Sequence, residues 1–151
     1  MNRKKKGNRF ELETSKLLTK ITGVRWFRVP MSGGFSTSQD TTADRFQGDV
    51  YSDDKKYSLI TIECKSYKQL FFNDLFNKKS IFWEWVNQTI NESPNEWLLF
   101  FKINNRGTYV VKPSKSFGVD KKIIDLLKFN NYCKERIVVF NEEEFIIKKI
   151  F

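Results

Sequence analysis

The chain has 151 residues, 40% of them apolar, enough for one domain with a single substantial core and too few for two. A formal charge of +9 points to a polyanionic partner. The chain contains no histidine. That excludes Ser-His-Asp and Cys-His nucleophile systems, His-containing zinc sites and nucleases with a His general base, so any hydrolytic chemistry must run on carboxylates, lysine and a hard metal ion.

The charge is local. Residues 1–30 hold nine Lys/Arg against Glu11 and Glu13, a balance of +7 that leaves +2 for the other 121. Nucleic acid is expected in preference to an anionic membrane, because no long apolar segment and no cationic helix with an aromatic face is present. The early lysines lead into a polar stretch rather than an apolar signal-peptide core, so a cytoplasmic protein is expected. Its two cysteines, Cys64 and Cys133, have no metal-ligand spacing and are expected to stay reduced.

In chain order, residues 1–7 read as a basic, disordered arm carrying Lys4, Lys5 and Lys6. Residues 8–21 read as a helix capped by Asn8, with Phe10, Leu17, Leu18 and Ile21 on one face. Glu11 and Glu13 fall on opposite margins of that stripe, and the helical wheel does not choose between them. Gly23 ends the helix, and Val24–Val29 alternates as a strand as far as Pro30. Residues 31–45, rich in Gly, Ser and Thr, read as a long mobile loop.

The segments "FQGDVYS" and "YSLITIECKS" form a strand pair across a turn at Asp53–Lys55. Residues 71–91 read as one or two helices, with Phe72, Phe76, Ile81, Trp85 and Ile90 as candidate buried positions and Pro94 as the exit. Trp83, Trp85 and the phenylalanines between 71 and 82 are assigned to the core or a dimer interface. Gln88 is read as a surface polar residue, with a position facing the site as the alternative. "EWLLFFKI" and "TYVVK" make a second strand pair, "KKIIDLLKF" a helix, "RIVVF" a strand and "EEEFIIKKI" a terminal helix capped by Asn141. With no repeats and no linker, this is one domain, 1–151, of class α/β or α+β: a mixed sheet with helices against it.

Chemistry concentrates on Ile60–Ser66. Alternation places Ile60, Ile62 and Cys64 toward the core and Thr61, Glu63 and Lys65 on the other face. A turn centred near Asp54 pairs position 49 with about 60 or 61, making Asp49 a diagonal neighbour of Glu63 at roughly 7 to 8 Å between Cα atoms. Two such carboxylates suit Mg²⁺, with the main-chain carbonyl of Cys64 as a further ligand. Lys65 is placed to orient the attacking water and balance charge on a scissile phosphate, and Glu11 to hold a water on the far side of the metal. An acid and a lysine at i, i+2 are ordinarily a solvated face or an ion pair. Asp49 directly after Gly48, interleaved aliphatics, a basic N-terminus and the absence of histidine turn the reading toward metal-assisted phosphodiester hydrolysis.

Gly48-Asp49-Val50 and Glu63-Cys64-Lys65 resemble the two acidic elements of the PD-(D/E)XK nuclease superfamily. "KGNRFE" (6–11), "RVPMSGG" (28–34) and "ECKS" (63–66) are similar to elements of archaeal-type Holliday junction resolvases and their phage relatives. The likeness runs from about Lys6 to Pro113 and leaves 114–151, a C-terminal extension, without a counterpart. It implies a restriction-endonuclease-like core and a homodimeric endonuclease that nicks paired strands of four-way DNA junctions with Mg²⁺, for which Mn²⁺ substitutes. No small-molecule cofactor or membrane is implied, and for a phage-encoded protein the compartment is the host cytoplasm. Glu11, favoured over Glu13, Asp49 and Glu63 would then surround the metal, with Lys65 at the water and Ser32 at the scissile phosphate. Lys4, Lys5, Lys6, Arg9, Arg25, Arg28 and Ser32 would contact DNA. Other nucleases on the fold, acting on duplex ends or flaps, and a non-catalytic DNA-binding module are the competing readings.

Overall fold

The structure is a computed structural model and describes residues 2–30, 48–116, 118–129 and 135–150. Helix α1 (Arg3–Thr22) is followed by β1 (Trp26–Arg28), β2 (Val50–Ser52), β3 (Ile60–Tyr67), a 3-10 turn (Phe72–Leu75), α2 (Ile81–Glu92), β4 (Glu96–Ile103), β5 (Gly107–Pro113), α3 (Val119–Leu126), β6 (Arg136–Phe140) and β7 (Glu143–Ile150). The described strands form one seven-stranded sheet in the order β1-β2-β3-β4-β5-β7-β6. Only β3 and β4 run parallel, as the crossover through α2 requires; the other pairs are antiparallel. The result is a mixed α/β sheet of the restriction-endonuclease-like kind.

Both faces are covered. Phe10 and Leu18 of α1 and Ile123 and Ile124 of α3 pack with Ile60, Ile62, Cys64, Leu98 and Phe100 on one side. Phe82, Trp83, Trp85 and Val86 of α2 pack with Leu99, Phe101, Phe145 and Ile147 on the other. This explains the unbroken apolar run Trp97–Phe101: a central strand buried on both faces has no polar side to alternate with.

Several expectations are corrected. Residues 3–7 are not a disordered arm but the first turns of α1, which starts at Asn2, whose side chain accepts from the Lys4 amide at 2.7 Å; Asn8 is interior. These added turns extend a helix that the apolar face at Phe10–Ile21 already holds down. Phe72 and Phe76 are exposed rather than buried. The terminal segment is β7, not a helix. Asn141 and Glu142, at φ 49° and 65°, are the two left-handed residues of a tight hairpin joining Phe140 to Glu143. Asn serves both caps and such turns, and Phe145/Ile147 alternation decides for the strand. The 114–151 segment thus supplies α3, β6 and β7, which complete one edge of the sheet.

Candidate active site

Gly48 builds the acidic corner. Its φ of 83° and its approach to β3, where an added Cβ would stand 2.5 Å from the Ile62 carbonyl oxygen, admit no other residue without strain. The chain then turns so that the Asp49 amide donates to that same carbonyl at 2.8 Å and the Asp49 carbonyl accepts from Val29 at 2.8 Å. The hairpin register is Val50↔Ile62, two to three residues beyond the expected one, because a 3-10 turn (Lys55–Tyr57) lengthens the connection. Asp49 is therefore held beside the Ile62–Cys64 stretch of β3 that carries Glu63, with its amide on the Ile62 carbonyl and its carboxylate accepting from the Cys64 amide.

Glu63 and Lys65 share their sheet face with their β4 partners Leu99 and Phe101, the face that α2 covers. Glu63 is consequently only 4% exposed, where a solvated strand face had been the competing reading. Burial first, then the charge of Asp49 and a hydrogen bond between the two carboxyls, raise the Glu63 pKa from 4.5 to about 8, against the pull of Lys65. The Lys65 ammonium stands 3.8 Å from Glu63 Oε2 and donates to Gln88 Oε1 at 2.9 Å. Gln88 Nε2 in turn donates to Glu92 Oε1 at 3.1 Å. Gln88 is an exposed polar residue of α2, as expected, and its side chain also reaches Lys65 at the edge of the site; it lies one turn beyond Trp85, which anchors that helix in the core.

Cys64 contributes its backbone in a way the sequence did not suggest. Its amide donates to Asp49 Oδ2 at 2.7 Å, aiming that carboxylate. Its thiol is buried among Phe10, Ile62 and Phe100, and burial pushes its pKa well up, so it is chemically quiet.

Glu11 approaches Asp49 from α1, on the opposite face of the sheet from Glu63. Burial, then the charge of Asp49, raises its pKa. Arg28 opposes this, with Nε 2.6 Å from Glu11 Oε2 and a second bond from Nη2 to Asn8 Oδ1 at 2.8 Å. Arg28 is thus tied to α1 with its side chain 28% exposed. Glu13 turns away to Arg9 and Lys102 at 3.1 and 2.8 Å. Lys4, Lys5 and Arg9 are exposed on α1, Lys6 is half-buried, and exposed Arg25 lies over the Phe27 ring at 4.9 Å. Ser32, the 31–45 segment and Cys133 lie outside the described residues.

Among the described residues no group of three or more His, Cys, Asp or Glu converges tightly enough to hold a metal ion. Glu11, paired with Arg28, does not join Asp49 and Glu63 in one cluster. The Asp49–Glu63 pair nonetheless fits a hard divalent cation in kind: burial and the neighbouring Asp49 disfavour the charged form of Glu63, and a cation that draws its remaining ligands from water would relieve that repulsion.

A mixed sheet whose second and third strands bring an aspartate, a glutamate and a lysine together is the framework of the PD-(D/E)XK nucleases. The chain belongs to the phage putative PDDEXK endonuclease family, whose profile matches residues 2–148, most of the C-terminal hairpin included. No curated protein and no solved structure matches the chain significantly.

Proposed function

We propose that this endonuclease is a Mg²⁺-dependent, structure-specific enzyme that resolves four-way DNA junctions by paired nicks, working as a homodimer. The observation that carries the nuclease part is the buried Glu63 carboxyl beside the half-buried Asp49, with Lys65 3.8 Å from Glu63. The resemblance of residues 6–11, 28–34 and 63–66 to junction resolvases supports the choice of substrate.

In this reading Asp49, aimed by the Cys64 amide, and Glu63 hold the cation, with the Cys64 carbonyl as a further oxygen donor. Glu11 orders a water on the α1 side. The cation, when bound, neutralises charge that develops on the phosphate. Lys65 is steadied by Gln88 with its remaining protons free to hold the attacking water and to balance the same developing charge. Ser32 would approach the scissile phosphate. Arg3 to Lys6 add their charges to the positive end of the α1 dipole, a favourable place for a DNA backbone. Lys4, Lys5, Lys6, Arg9 and Arg25 would contact that backbone.

The test is cleavage of labelled four-way junction, linear duplex and flap DNA in Mg²⁺ or EDTA, beside Glu63→Ala. Symmetric junction nicking that needs Mg²⁺ and is lost in the variant is expected. Equal cutting of plain duplex would move the activity to another nuclease type on this fold, and tight binding without metal-dependent cutting would leave a binding module. Ser32→Ala should slow cleavage more than it weakens binding; an unaltered rate removes Ser32 from the site.

A further inference from the structure

The segment between β3 and α2 exposes three phenylalanine rings within six residues: Phe71, Phe72 and Phe76 are 62%, 67% and 69% exposed. Scattered exposed apolar residues are ordinary, but three clustered aromatics on a surface are not. Nor are they exposed because the segment lacks anchorage. Leu70 and Leu75 pack down against the α2 side of the core, and Trp83 Nε1 donates to the Leu75 carbonyl at 3.1 Å. Ser80 Oγ ties the Asp74 carbonyl at 2.7 Å, and the Asp74 carboxylate accepts from the Phe71 amide at 2.7 Å. The 3-10 turn is pinned from below while its rings face out, with Phe72 and Phe76 edge to face at 5.1 Å.

The charge around the rings points to the occupant. Lys68, Lys78 and Lys79 flank them, and the one acid of the segment, Asp74, is spent on the Phe71 amide. A second copy of the chain docking symmetrically would bring these lysines against their own counterparts, and lysine is depleted at protein interfaces. Nucleic acid supplies what both features want: phosphates for the ammonium groups and flat base faces for the rings, a pairing that tolerates any sequence. The segment also begins three residues after Lys65, on the strand that carries Glu63.

We infer that Phe71, Phe72 and Phe76 form a stacking platform for unpaired or splayed DNA bases, with Lys68, Lys78 and Lys79 holding the adjoining phosphates. The inference rests on the nuclease reading and deepens it: the platform recognises DNA whose bases are not all paired, next to the strand that would cut it.

The test measures binding in EDTA, by fluorescence anisotropy, to oligothymidylate, to a four-way junction and to fully paired duplex. Phe72→Ala/Phe76→Ala should weaken oligothymidylate and junction binding about tenfold or more while changing duplex binding less than about twofold. Phe72→Tyr/Phe76→Tyr, which keeps the rings, should restore both. Equal loss on all three DNAs, or no loss, overturns the platform. So does sedimentation showing that the alanine variant turns a dimer into a monomer, which makes a second copy the occupant. Wild-type junction cleavage in Mg²⁺ runs alongside. Ring-dependent binding of unpaired DNA without any cutting sinks the nuclease reading alone, cutting with unaltered alanine-variant binding sinks the platform alone, and a wild type that binds no DNA overturns both.

Discussion

Glu63 is buried beside Asp49, so the folded chain holds on Glu63 a proton that the unfolded chain releases. Below about pH 4.5 both forms are protonated and the group's contribution to stability is fully present. Between there and about pH 8 only the folded form keeps the proton, so stability falls as pH rises through that window. In EDTA the melting temperature should therefore drop across this range, and Glu63→Gln should flatten the slope; a wild-type curve that rises with pH contradicts the proton held on Glu63. Mg²⁺ added near pH 8 should raise the melting temperature by binding the ionised pair of the folded chain. Lys65 offers a second residue-scale prediction. Gln88→Leu removes its 2.9 Å acceptor, and cleavage should slow by about tenfold to a hundredfold with DNA affinity unaltered. Loss of affinity in place of rate would assign Gln88 to DNA binding.

Elements place these residues by local geometry. Gly48→Ala puts a methyl 2.5 Å from the Ile62 carbonyl at a left-handed φ, which should cost at least about 1 to 2 kcal/mol in denaturant unfolding and displace Asp49 enough to suppress cleavage. Unchanged stability would mean that the turn relaxes freely. Helix α1 carries the opposite compromise. Its first turn holds no acid and a run of cations at the positive end of the helix dipole, an arrangement that disfavours the free helix and favours an anion beside it. Replacing Lys4, Lys5 and Lys6 by alanine should raise free-protein stability by some tenths of a kcal/mol. It should also weaken DNA binding on every sequence and flatten the salt dependence of log K by about 0.9 for each phosphate no longer neutralised.

The whole molecule explains why the Glu63 carboxyl is buried at all. A sheet covered on one face leaves the other wet, and there Glu63 and Lys65 would be a surface ion pair of little consequence. Here α2 closes the second face, Leu99 stands beside Glu63 on β4, and the carboxyl loses its water. Leu99→Ala, in a site with no exposed surface, should destabilise the chain by about 2 to 5 kcal/mol, read from the shift of a chemical denaturation midpoint. A cost below about 1 kcal/mol would mean that the core repacks into the space.

Strand alternation in "ITIECKS" sufficed to separate the aliphatic face of β3 from the face with Glu63 and Lys65, because a two-residue period needs no partner. The N-terminal charge, the absence of histidine and the continuous apolar run of β4 were equally open to reading, since each is a property of the chain alone. Long-range packing settled the rest. Which strand residue Asp49 meets depended on a 3-10 turn, and whether Glu11 or Glu13 approaches the acids depended on Arg28 and Lys102 arriving from other strands. Asn141 turns a hairpin because the Phe145/Ile147 alternation, a local signal, is taken up by β7 pairing with β5 and β6. Whether Phe72 and Phe76 are buried depended on Leu70 and Leu75 taking the core positions beneath them. Local pattern determines which side chains share a face; only the packed fold decides which faces lose water, and here the proton held on Glu63 follows from that loss.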